Sequence, residues 1–152
     1  IVDINYIIDN NKTYINIIED IEINEKKYLD DFEKKENDLF ILLKDIDESK
    51  LLLNQDQLNS KIDNYNIQLN KFSELIESYN SHYENEIIKI RENILSNIIK
   101  ILEQYAEKNK LDLILDSTSY LIASNSLDIT EIISKELEKI NLKLEFKNFE
   151  KD

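Results

Sequence analysis

The chain has no glycine, proline, cysteine, methionine or tryptophan among its 152 residues. Losing Gly and Pro together removes the two strongest breakers of regular structure. The absence of Cys excludes disulfides, thiol catalysis and Cys-ligated metals, though it does not fix the redox compartment. No run of 18 apolar residues occurs, so no transmembrane helix is expected. There is no Gly-rich phosphate loop. Basic residues are scarce: 19 Lys and Arg face 32 Asp and Glu, a net charge of −13. That balance disfavours nucleic-acid binding, which needs basic surface to displace counterions, and docking on anionic lipid. Spread along helices, the acidic excess reads first as a solvated face. The first residue is Ile1 rather than Met, which is compatible with a removed leader and an exported origin.

What is present is Ile, Leu, Lys, Glu, Asp and Asn, with 41% apolar and 34% charged residues. The length suits one domain, or one domain with a long extension. Ile1-Val2-Asp3-Ile4-Asn5 alternates apolar and polar and predicts a short strand. A helical pattern begins around residues 10 to 14. Its apolar positions Ile21, Tyr28, Phe32, Leu39, Leu42, Ile46 and Leu53 fit a heptad rhythm. The second run is clearer: Leu58, Ile62, Tyr65, Leu69, Phe72, Ile76, Tyr79, Tyr83, Ile87, Ile90 and Ile94 are spaced by steps of four and three. An average step of 3.5 residues is a coiled-coil seam.

The break between the two runs falls near residues 53–56. Asn54 is a good N-cap, and Gln57 sits three residues on, as in a capping box. So short a connection makes the two helices antiparallel neighbours. Counting outward from the turn sets Phe32 near Ile76, and Tyr28 near Tyr79 and Tyr83. The predicted seam is therefore Tyr28, Phe32, Leu39 and Ile46 against Leu58, Ile62, Tyr65, Leu69, Phe72, Ile76, Tyr79 and Tyr83.

After Lys108-Asn109-Lys110 the pattern changes. Residues 111–116 and 120–124 read as strands, with a turn at Ser117-Thr118-Ser119. Asp128 and Glu131 read as the capping box of a last helix whose apolar face is Ile129, Ile132, Ile133, Leu137 and Ile140. Residues 142–146 alternate and read either as an edge strand or as a frayed extension. The expected class is mainly α with a small β component: a long antiparallel coiled-coil hairpin on a small α/β body. Residues 1–15 and 107–152 would form the body, and 16–106 the hairpin.

This order of elements, with LDLILDSTSYLIAS at residues 111–124 and LDITEIISKEL at 127–137, resembles the Skp or OmpH-like periplasmic chaperones. The resemblance implies a homotrimer joined through its short strands, with hairpins hanging as tentacles around a cavity. Unfolded outer-membrane proteins would be held there without ATP. It implies a periplasmic protein that is not an enzyme, takes no cofactor and does not insert in the membrane. The open edges of short strands need cover in any case, so Val2, Ile4, Leu113, Leu115, Leu121 and Ala123 are the expected oligomerisation residues. One departure stands out. The family's tentacles are positive, whereas residues 16–106 here carry 20 acidic and 11 basic residues, a net of −9.

No catalytic set emerges. His82, the only histidine, reads as a surface residue. Carboxylate pairs such as Asp45/Asp47 and Glu84/Glu86 are two apart and do not share a helix face. Ser117, Thr118 and Ser119 are residues that a turn uses anyway. Ile88, Leu95, Ile99 and Leu102 form a second apolar stripe, expected to pack on the body. Phe40, Ile41, Leu43, Leu51, Leu52, Ile67 and Leu75 lie off the seam. Either they widen it or they form a diffuse client-binding lining, in which many weak contacts raise avidity. The competing function is a structural or scaffolding coiled coil.

Overall fold

A computed structural model describes residues 1–150. It is mainly helical, in the order α1 (Ile4–Asp9), α2 (Lys12–Ser49), α3 (Gln55–Asn109) and α4 (Thr130–Glu138), with single 3₁₀ turns at Ser117–Ser119 and Asn125–Leu127. The chain divides into two compact units. One holds Ile1–Ile21 with Asn85–Asn148, and the other Glu22–Glu84 with the chain from Phe149 onward. Each is described by itself.

In the first unit the N-terminal residues are threaded through the body by their main chain. Val2 N–H donates to the Leu115 carbonyl at 3.0 Å, and Ser117 N–H to the Val2 carbonyl at 2.8 Å. Asp3 N–H reaches Thr130 Oγ1 at 2.9 Å. Asp3 then accepts the Tyr6 N–H and caps α1. The cap is why the expected strand at residues 1–5 does not form: the chain turns helical at Ile4, leaving one parallel bridge, Val2 to Asp116. The expected strand at 111–116 ends at that same bridge. There the Asp116 carboxylate accepts the Thr118 N–H and hydroxyl and folds the chain into a 3₁₀ turn. Residues 120–124 also run without a ladder partner, so the described residues contain no named strand. The small β component is thereby corrected to extended segments tied by one bridge.

α1 packs on α4, whose Ile133 and Leu137 are buried, as are Val2, Ile7, Ile94 and Ile98 of the same unit. The expected capping box of α4 is only half made. Asp128 accepts the Thr130 N–H at 2.9 Å, but Glu131 pairs forward with Lys135 instead of back. Ile132 and Ile140 of the expected apolar face stay exposed. The stripe expected to pack on the body is covered in part: Leu95 and Leu102 are half-buried, and Ile88 and Ile99 are exposed within the single chain. α3 closes without glycine. Lys110 adopts φ 55°, and Leu111 N–H returns to the Ala106 carbonyl at 2.9 Å, the left-handed termination that helices usually give to Gly.

In the second unit α2 and α3 pair antiparallel. The turn between them begins at Lys50, earlier than the apolar rhythm indicates, so Leu51 and Leu52 lie in the turn. Asn54 and Gln57 form the expected reciprocal box: Gln57 N–H donates to Asn54 Oδ1 at 3.0 Å, and Asn54 N–H to Gln57 Oε1 at 3.3 Å. Lys61 bridges back to Ser49 and Asp45. Phe32, Leu39, Ile46, Phe72, Tyr79 and Tyr83 are buried along the helix pair.

Candidate functional site

The rings of the second unit interlock, mostly edge to face. Phe32 meets Phe72 at 5.9 Å and Tyr79 at 5.0 Å between centroids, and Tyr28 meets Tyr79 at 5.6 Å. Such pairs add about 0.5–1.5 kcal/mol each beyond their buried area. Of the other predicted seam positions, Leu58, Ile62, Tyr65 and Ile76 are half-buried and Leu69 is exposed.

Into this cluster comes a residue that periodicity does not predict. Phe149 is buried, with its ring edge-on to Tyr28 at 5.5 Å, Tyr79 at 5.4 Å and His82 at 5.6 Å. Its carbonyl accepts the Tyr28 hydroxyl, and its N–H donates to the Tyr83 hydroxyl at 3.4 Å. The Tyr83 hydroxyl also donates to Asn24 Oδ1 at 3.1 Å. The tail is thus neither an edge strand nor a frayed end: Leu142 and Phe149 are buried, and Lys147 N–H donates to Glu86 Oε2 at 2.9 Å. Residues 151 and 152 of the predicted tail lie outside the described residues. His82, expected at the surface, is half-buried, with its ring against Tyr83 and Phe149.

Electrostatics follow burial here. Desolvation raises the Tyr79 phenol far above its ordinary value, helped by Glu25. It raises Tyr83 as well, offset by the N–H of Phe149. Glu25 is raised by burial and then by Glu22. Tyr79 has a buried hydroxyl with no hydrogen-bond partner among the described residues. Beside this aromatic cluster, a groove of about 630 Å³ is lined by Lys35, Leu39, Lys71, Phe72, Leu75 and Phe149, among others.

Apolar side chains cover other faces of the same helices. Phe40, Ile41, Leu43 and Ile67 are exposed, and the turn residues Leu51 and Leu52 are 95% and 84% exposed. Leu75 is half-buried. At 100° per residue, Ile41 lies about 200° around α2 from the buried line through Leu39, and Ile67 about 220° around α3 from Phe72. Neither can widen the seam. Four lysines of this hairpin are matched: Lys34 pairs with Asp31, Lys44 with Glu48, Lys50 with Asp47 and Lys61 with Asp45.

In the first unit, Leu113, Leu121 and Ile122 are 71%, 101% and 92% exposed. Val2 is already covered by its own chain. Ile4, Leu115 and Ala123 are half-buried. Among the described residues no group of three or more His, Cys, Asp or Glu could hold a metal ion. No described helix is long and apolar enough to cross a membrane.

A crystal structure from Caulobacter crescentus CB15, described as a candidate outer membrane chaperone (OmpH-like), superposes with a TM-score of 0.73 over 96% of this chain and 86% of its own. At 14% identity that likeness speaks for the fold. No curated protein matches the sequence. The profile of the family described as outer membrane protein (OmpH-like) matches residues 1–137, nine-tenths of the chain, and the chain belongs to that family.

Proposed function

We propose that this protein is a non-enzymatic, ATP-independent holdase that keeps unfolded outer-membrane proteins from aggregating in the periplasm. The observation that carries the reading is the set of exposed apolar side chains on an otherwise polar helix pair. Phe40, Ile41, Leu51, Leu52 and Ile67 have no partner in their own hairpin seam and point in several directions. Large apolar groups left in water mark contact surfaces. Their dispersal suits many weak, quickly released contacts better than one rigid interface. Family membership and the chaperone description of the Caulobacter protein point the same way.

The assembly we infer is a trimer whose inter-subunit contacts involve the exposed apolar residues Leu113, Leu121 and Ile122, with client held between hairpins. Stoichiometric protein without nucleotide should suppress aggregation of an unrelated denatured protein. Failure to do so, with the fold intact, would leave a scaffolding role as the better account. A solution mass of one chain at micromolar concentration would remove the trimer.

A further inference from the structure

Phe149 is held in an unusual way for a packing residue. Two tyrosine hydroxyls meet its main chain: Tyr28 donates to its carbonyl, and Tyr83 accepts its N–H at 3.4 Å. Neither a helix nor a sheet supplies those bonds. Hydrogen bonds to the main chain read no side chain, so this half of the recognition would accept any extended segment. The other half is a slot for one ring, walled edge-on by Tyr28, Tyr79 and His82. The neighbouring residues Asn148 and Glu150 are exposed, so Phe149 is the one buried side chain of this stretch.

A second observation is independent of these contacts. Tyr79 is 3% exposed, and its buried hydroxyl has no hydrogen-bond partner among the described residues. An orphaned buried donor is costly, so the tail fills the box without satisfying it. The adjoining groove, lined by Leu39, Phe72 and Leu75 with Lys35 and Lys71 at its sides, offers room for residues flanking an inserted ring.

We propose that the box formed by Tyr28, Tyr79, His82 and Tyr83 is a binding site for an extended polypeptide segment bearing an aromatic side chain, and that Phe149 is its exchangeable internal occupant. The site deepens the chaperone reading by naming what a client presents, an aromatic residue in unfolded chain. The box itself is testable without that reading. A tethered occupant competes at an effective concentration in the millimolar range, so a free segment meets an occupied site in the wild type and an open one once the ring is removed.

The probe is a fluorescently labelled peptide with the sequence of residues 142–150. Phe149→Ala protein should bind it at least tenfold more tightly than wild type, and a peptide with Ala in place of its last Phe should not bind. Equal or weaker binding by a Phe149→Ala protein of unchanged helicity would overturn the proposal. If that variant loses helicity, Phe149→Trp decides. The chain has no tryptophan, so the introduced indole reports alone. Its buried emission should shift red on saturation with the unlabelled peptide or with a Trp-free unfolded client, and emission unchanged by both overturns the exchange. The two readings fail separately. A bound client that leaves the indole buried removes the latch but not the holdase. A peptide that displaces the indole, in a protein that binds no unfolded client, keeps the box and removes the holdase.

Discussion

Asn54 and Gln57 cap each other across the first turn of α3, each side-chain oxygen accepting the other's main-chain N–H, at 3.0 and 3.3 Å. With no glycine or proline in the chain, this box is a local side-chain signal that starts α3 afresh after the turn. Asn54→Ala should destabilise the end of the hairpin by about 0.5–2 kcal/mol. Amide exchange should quicken over the turn and the first turns of α3 while residues around Ile94 and Ile98 are unchanged. Unaltered protection at the turn would mean that Lys61 and its partners hold it alone.

Lys110 occupies the left-handed position that ends α3, at φ 55°. A residue with a Cβ is disfavoured there by roughly 1–2 kcal/mol, part of which a glycine returns as unfolded-state entropy. Lys110→Gly should therefore stabilise by about 0.5–1 kcal/mol, a rise in Tm of about 1–4 °C for a chain of this size. Lys110→Ala, which keeps the Cβ, should show no gain. Equal Tm values for the two variants would remove the conformational explanation.

Two carboxylates in the body are held below their ordinary range. Asp128 is lowered by the Thr130 hydroxyl and N–H, and Asp116 by the Thr118 hydroxyl and N–H and then the N–H groups of Ile4 and Ser117. A depressed folded pKa means that the unfolded chain takes up protons first. The stability these groups give is present above the unfolded value of about 3.9 and is lost as pH falls through the folded values. Many other carboxylates titrate in the same window, so the informative quantity is a difference. Asp116→Asn with Asp128→Asn should lose less stability than wild type between pH 5 and about 3, followed by thermal melts. Parallel curves for the two proteins would show that these caps are not linked to folding.

The helices were legible because apolar steps of three and four run unbroken from Leu58 to Ile94, and because Asn54 and Gln57 carry a local signal. α1 was readable but outcompeted. Asp3 is a good N-cap and Ile4, Ile7 and Ile8 share a helix face, yet the alternation of residues 1–5 favours a strand by pattern alone. The strands at 111–124 failed for a different reason: β structure needs a partner, and among the described residues only Val2 bridges to Asp116. Phe149 could not be placed at all. Its partners Tyr28, Tyr79 and His82 lie 67 or more positions away in sequence, and a lone aromatic in a tail has no period to reveal it. The same distance hid the contact of His82 with Phe149.

The exposed apolar residues of the hairpin yield a prediction that separates two ways of holding a client. Hydrophobic contact changes little with added salt, whereas attraction between exposed charges is screened over about 8 Å at physiological ionic strength. A charge-led mechanism would have to use Lys34, Lys35, Lys44, Lys50, Lys61 and Lys71. Four of these already stand within 4 Å of a carboxylate on the same hairpin, and exposed pairs of that kind cancel each other's field. Binding of an unfolded outer-membrane protein should therefore persist when salt is raised to about 0.5 M, where the Debye length falls toward the ~3 Å of 1 M salt. Ile41, Leu51, Leu52 and Ile67 are at least half exposed, so changing all four to Ser removes little from the fold. The variant should keep wild-type helicity and assembly while its affinity for the client falls about tenfold or more, each lost leucine or isoleucine contact being worth a fraction of its ~1.5–3 kcal/mol burial energy. Binding measured for both proteins at low and high salt decides between the mechanisms. A folded Ser variant with wild-type affinity, in a system where modest salt abolishes binding, would assign client capture to the lysines.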